Sequence, residues 1–102
     1  MDNVSEVRIE LQDEGHYLLH GELSFNTVSA ISANFAKMVN KSDEIILDLH
    51  GVTRTDSAGL ALLIDWLRSA RHEHKRIVFK NMPSQMLAVA KVSELDDILP
   101  LE

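Results

Sequence analysis

Two short apolar runs, Ile45-Ile46-Leu47 continued by Leu49 and Ile77-Val78-Phe79, are separated by a stretch long enough for a helix of several turns. Runs that are apolar at successive positions suit strands covered on both faces in the middle of a sheet. A helix between two such strands carries the chain back across the sheet, so the strands pair in parallel. This arrangement predicts a layered α/β structure.

The flanking segments fill in that frame. Val7, Ile9 and Leu11 alternate with Arg8, Glu10 and Gln12, the period-2 pattern of a strand with one buried face. Asp13-Glu14-Gly15 reads as a tight turn, and Tyr17-Leu18-Leu19 leading to Gly21-Glu22-Leu23 as the second arm of a hairpin. Val28, Ile31, Phe35 and Met38 recur at helical spacing, which predicts one amphipathic helix over 25–40 capped by Ser24 or Asn26. Gly51 to Thr55 reads as a loop, and Asp56-Ser57 opens a second helix whose last turns carry Arg68, Arg71 and Lys75. Pro83 suits the first turn of a third helix with Met86, Leu87 and Ala90 facing inward, ended by Asp96-Asp97. Ile98 to Leu101 is expected as a last short strand or a docked tail.

A chain of 102 residues corresponds to one domain, and 45% hydrophobic residues supply a core for it. The absence of cysteine removes disulfide scaffolds, thiol catalysis and cysteine-ligated metals. The net charge of −6 is unevenly placed, because residues 1–51 hold 3 basic and 9 acidic side chains and residues 52–102 hold 7 of each. Nucleic acid would have to use Arg54, Arg68, Arg71, Lys75, Arg76 and Lys80, and no aromatic residues are interleaved there for base stacking. No nucleic-acid partner is expected. The stretch Ala58 to Leu67 is too short to span a bilayer, and Met-Asp-Asn-Val-Ser-Glu lacks the basic and apolar regions of a signal peptide. A cytoplasmic location is the expectation.

The helix after Asp56 carries the most information. At 100° per residue, Leu60, Leu63, Ile64, Trp66, Leu67 and Ala70 form a wide apolar sector, with Asp65, Arg68, Ser69 and His72 opposite. In the first turns that opposite side also holds Ala58, Ala61 and Leu62, so it is small and apolar there. Such a face is either simple tolerance of small residues or a flat docking surface. Ser57, preceded by Asp56 as N-cap, falls where unpaired N–H groups and the helix dipole favour an added phosphate. A phosphoserine would bring about −1.5 to −2 charges beside Asp56. The plainer alternative is that Ser57 only helps to cap the helix.

Gly21-Glu22-Leu23, Ile46-Leu47-Asp48-Leu49, Val52 and above all Asp56-Ser57-Ala58-Gly59-Leu60 resemble the STAS domain, shared by bacterial anti-sigma factor antagonists, the cytoplasmic tails of sulfate transporters and a small subunit of the Mla phospholipid-transport ABC system. The resemblance implies a single STAS domain over 1–102, α/β, with a mixed, mostly parallel sheet of four to five strands and about three to four helices. In antagonists of this family the serine at the position of Ser57 is phosphorylated by an anti-sigma factor kinase, which releases the antagonist. Gly59-Leu60-Ala61-Leu62-Leu63 and the ending Ile98-Leu99-Pro100 look like the Mla subunit, which binds the transporter's ATPase. Ser24 stands where antagonists commonly have aspartate, whereas the Mla subunit commonly has threonine and glycine at the positions of Ser57 and Ala58. Both readings imply a docking surface of Arg54, Thr55, Asp56, Ser57, Ala58, Gly59, Leu62 and Arg68, with Thr53 beside it and Gly59 allowing close approach. The expected partner is an ABC transporter ATPase, with an anti-sigma factor kinase as the alternative. Membrane contact is expected only indirectly, at the inner membrane through that partner.

No catalytic constellation is present: there is no GxxxxGK loop, no HExxH and no Gly-x-Ser-x-Gly elbow. No enzyme activity and no cofactor are expected. His16 and His20 share a strand face and could join a metal site only with a third ligand. His72 and His74 point apart on a helix. Asp48 and Asp56 are explained by structural hydrogen bonds, and Trp66 by the core.

Overall fold

The computed structural model describes residues 6–102; the reading of the segment Met1 to Glu6 against a signal peptide falls, but for Glu6, outside the described residues. β1 (Val7–Asp13) and β2 (His16–Leu23) form the expected antiparallel hairpin, turning at Glu14-Gly15. Gly15 sits at φ +74°, the left-handed conformation that glycine adopts without strain.

The chain then forms α1 (Val28–Ile31), α2 (Asn34–Lys41), β3 (Glu44–Thr55), α3 (Ser57–His72), β4 (Arg76–Lys80) and α4 (Ser84–Val92). The four strands among the described residues lie in sequence order, with β2–β3 and β3–β4 parallel. Because each parallel step advances in the same direction, right-handed crossovers put the connecting helices on one side of the sheet. Pro100 accepts from the Phe79 N–H at 2.9 Å and Leu101 bridges Phe79 in parallel, so the C-terminal segment is both a docked tail and the trace of a fifth strand.

The burial alternation follows from that one-sided cover. Tyr17, Leu47 and Phe79 stand in one cross-strand row and are buried, as are Ile45 and Ile77. The opposite row, Glu10, Leu18, Asp48 and Lys80, is half-buried or exposed. The expectation that the apolar strands are covered on both faces is therefore corrected. Ile46 and Val78 face the open side and are only partly shielded.

Three local expectations also change. The predicted helix over 25–40 is two helices with Ser32-Ala33 between them; the Ser32 carbonyl at that break accepts the Trp66 indole N–H at 3.3 Å. Neither Ser24 nor Asn26 is the cap, since Thr27 precedes the first helical residue and its side chain makes no capping bond. Gly51 to Thr55 is strand rather than loop: Gly51, Val52, Arg54 and Thr55 pair with His20, Gly21, Glu22 and Leu23. Here cross-strand pairing, helped by β-branched Val52, Thr53 and Thr55, outweighs the turn-like polarity of the segment.

Helix ends are set by a repeated device. After α3 the Lys75 N–H reaches the Ala70 carbonyl and the His74 N–H that of Arg71; after α4 Leu95 and Glu94 do the same to Ala90 and Lys91. Both ends are Schellman motifs, with His74 (φ 59°) and Glu94 (φ 57°) where glycine is usual. Lys75 thus lies beyond α3 and pairs with Asp43 at 2.7 Å instead of capping the helix. Pro83 sits at the N-cap of α4 rather than within its first turn, and α4 ends before Asp96.

A candidate docking surface at the start of α3

Asp56 organises the site. Its extended backbone ends β3, and its Oδ1 accepts from the N–H groups of Ala58 (2.9 Å) and Gly59 (3.2 Å) at the start of α3. Its Oδ2 accepts from the Phe25 N–H at 3.1 Å, which ties the β2–α1 turn to the helix. That turn is rigid. Thr27 Oγ1 accepts from the Ser24 N–H at 2.9 Å and donates to the Glu22 carbonyl at 2.7 Å, and the Ser24 hydroxyl donates to the Glu22 carboxylate. Ser24, Thr27 and Thr55 are the buried polar residues beneath it. The side chain of Phe25 nevertheless points to solvent and is 79% exposed.

Ser57 is exposed at the first position of α3. The N–H groups of Ala58 and Gly59 already have a carboxylate partner, so the Ser57 hydroxyl is not needed to cap them. A phosphoryl group on it would stand at a positive helix end but beside the Asp56 charge.

Not all of the predicted surface is surface. Thr53, Arg54, Asp56 and Ser57 are exposed and Ala58 is half-exposed, whereas Thr55, Gly59 and Leu62 are buried. Leu62 is corrected from outer face to core because α3 is enclosed by the sheet, by α1 and by α4, which widens its buried arc to Gly59, Leu60, Leu62, Leu63, Ile64, Trp66, Leu67 and Ala70. Gly59 serves the fold's own close packing: a Cβ there would run into the Leu23 carbonyl and lie 2.7 Å from Thr55 Oγ1. The outer stripe of α3 is instead Ser57, Ala61, Asp65, Arg68 and His72.

Two shallow grooves flank that stripe. One, about 390 Å³, runs between α3 and α4 and is lined by Ser57, Ala61, Arg68, Val89, Ser93 and Leu95 among others. The other, about 640 Å³, lies between α2 and α3 over Ala36, Val39 and Trp66. Arg68 borders both, about 16 Å along the helix from Ser57. Trp66 is in the core as expected, stacked on Phe35 with centroids 5.4 Å apart.

Sequence reading missed Phe25 and the α4 wall. Phe25 falls at the start of the range 25–40 expected as helix, outside its apolar pattern, and the Asp56 bond ties its backbone to the start of α3. Asp48 lies within β3. Burial would raise its pKa, but hydrogen bonds from Asn81 (3.0 Å) and the His50 N–H (2.9 Å) and the nearby positive charge hold it below the ordinary aspartate value. His20 contacts Glu10 Oε1 at 3.3 Å, His16 stands beside Asp13, and no group of three or more metal-ligating side chains occurs among the described residues. Lys75 and Arg76 are paired with Asp43 and Glu44. Among the described residues no helix is long and apolar enough to cross a membrane.

Comparison with known proteins bears on what this surface belongs to. The family described as Mlab, STAS domain, matches residues 7–100. The phosphorylated form of the Bacillus cell fate determinant SpoIIAA superposes with a TM-score of 0.67 at 20% identity, covering 94% of this chain and 90% of that one. An anti-sigma-factor antagonist (STAS) domain protein from Planctomyces limnophilus gives 0.72 at 15% identity, over 95% and 89%. An anti-sigma factor antagonist from Mycobacterium paratuberculosis gives 0.67 at 17% identity, over 93% and 82%.

Proposed function

This chain belongs to the STAS domain family, and on that premise we propose that it is a non-enzymatic interaction module whose α3 face docks on a nucleotide-binding protein, the ATPase of an Mla-type phospholipid ABC transporter. The observation that carries the reading is the surface around Asp56. A carboxylate-capped helix start presents Ser57 and the small Ala58 and Ala61, with the exposed Phe25 tied to the same Asp56 through its backbone N–H and Arg68 further along the stripe. An exposed aromatic on a turn tied to the helix start supplies buried contact area on association, and an arginine adds orientation. The lipid-transport assignment draws its support from the matching family description. Location at the inner membrane follows from that partner alone.

One observation favours a second reading. Ser57 is solvent-exposed, and SpoIIAA, whose fold this chain shares, exists in a phosphorylated form. In that reading the chain is an anti-sigma factor antagonist, and phosphate on Ser57 releases it from a kinase.

The test is affinity recovery of the tagged chain from its native cells, followed by mass spectrometry of the bound proteins. An ABC ATPase with its permease supports the first reading. A small kinase-like anti-sigma factor, with phosphate on Ser57 in the unbound pool, overturns it in favour of the second.

A further inference from the structure

Among the described residues β1 forms one margin of the sheet, paired to β2 on one side only. The direction of its backbone groups follows from the ladder. The Glu22 N–H donates to the Glu6 carbonyl at 2.8 Å, and in the same register Arg8 opposes His20 and Glu10 opposes Leu18. Hydrogen-bonded and non-bonded pairs alternate in an antiparallel ladder, so Glu6, Arg8 and Glu10 turn their N–H and C=O groups to β2. Val7, Ile9 and Leu11 turn theirs outward, where they form a template for another strand.

We infer that this edge is the interface of a two-fold symmetric dimer of this chain, with Ile9 opposite Ile9 and Arg8 of each copy opposite Glu10 of the other. The choice of partner rests on charge complementarity. Outward groups must meet outward groups, which restricts antiparallel self-pairing chiefly to centres at Arg8, Ile9 or Glu10. A centre at Arg8 sets Arg8 against its own copy, and a centre at Glu10 sets Glu10 against its own. A centre at Ile9 uses all three outward positions, creates two Arg8–Glu10 pairs and sets Val7 against Leu11 twice.

The side-chain faces agree with this register. Val7 and Ile9 pack against the core on the helix side, and Leu11, 58% exposed, is an apolar residue on the same side that Val7 of a second copy covers. Arg8 and Glu10 lie on the open side, where Gln12 (2.9 Å) and His20 (3.3 Å) hold the Glu10 carboxylate. Their cross-strand positions are non-hydrogen-bonded, the closer spacing at about 4.5 Å between Cα atoms. The edge lies across the sheet from β4, and its pairing leaves the α3 stripe uncovered. The inference therefore stands apart from the proposed function.

Sedimentation of the full chain from micromolar to millimolar concentration tests it, with R8E, E10R and the double exchange R8E/E10R. The expected result is a concentration-dependent dimer, weakened by at least about tenfold in each single variant and restored in the double exchange. A monomer throughout, single variants that dimerise like the parent, or a double exchange no better than either single overturns the proposal. Circular dichroism checks that each variant folds. In the unaltered chain, exchange of the Ile9 amide hydrogen should quicken on dilution, and a rate independent of concentration overturns the inference without any variant.

Discussion

The Asp56 carboxylate accepts the backbone N–H of Phe25 at 3.1 Å, so the residue that caps α3 also fixes the turn after β2. Two segments 31 positions apart in sequence thereby present one surface. Asp56→Ala removes both the cap and the tether. Loss of an N-cap costs about 0.5–2 kcal/mol. Urea denaturation should show that loss, and exchange at the Phe25 amide should accelerate beyond the change in global stability.

Gly59→Ala reverses the usual helix rule. In an open helix the change gains about 1 kcal/mol. Here the new methyl meets the Leu23 carbonyl and Thr55 Oγ1, so a loss of about 1–3 kcal/mol is expected. A midpoint that rises in denaturant would contradict the packing described for α3 against β2 and β3.

Phe25→Ala should leave the melting temperature nearly unchanged, since the ring is largely in solvent. The same variant should lose affinity for the recovered partner by about tenfold or more, as hot-spot aromatics do. Ser57→Asp should likewise keep the fold and weaken binding, because charge is added beside Asp56, whereas Ser57→Ala should bind normally. Binding isotherms on the purified pair measure all three.

His74→Gly and Glu94→Gly should each stabilise the chain, by about 0.5–1 kcal/mol, because each relieves a side chain held at positive φ at the end of a helix. Thermal melts check the sign.

Acid sensitivity has a defined direction. Asp43, hydrogen-bonded to and attracted by Lys75, and Asp48, held by Asn81 and the His50 N–H against its burial, both have pKa values below that of an unfolded aspartate. Their contribution is present above about pH 4 and is lost as pH falls through the folded values. Melting temperature should drop below that pH, and Asp48→Asn should flatten part of the drop. A variant whose acid profile matches the parent's would remove Asp48 from this account.

Much was legible in the sequence because periodicity and crossover chirality are local rules. The hairpin at Glu14-Gly15, the parallel pairing of the Ile45 and Ile77 runs, the Asp56 cap and the core position of Trp66 all follow from residue spacing and type. The helix break at Ser32 did not, because it coincides with an indole arriving from Trp66, 34 residues away. Neither did the strand character of Gly51 to Thr55, which comes from its pairing with Gly21-Glu22-Leu23.

The same division applies to the candidate site. Sequence alone determined the helix start, its carboxylate cap and the exposed hydroxyl after it, since capping requires a particular residue at a particular step. Tertiary structure decided which neighbours form the surface: it withdrew Leu62 and Gly59 into the core and brought Phe25 and α4 alongside Ser57. A helical projection assumes one buried side, whereas α3 is enclosed by a sheet and by helices on its flanks, and the width of that enclosure is a property of long-range packing that no local pattern encodes.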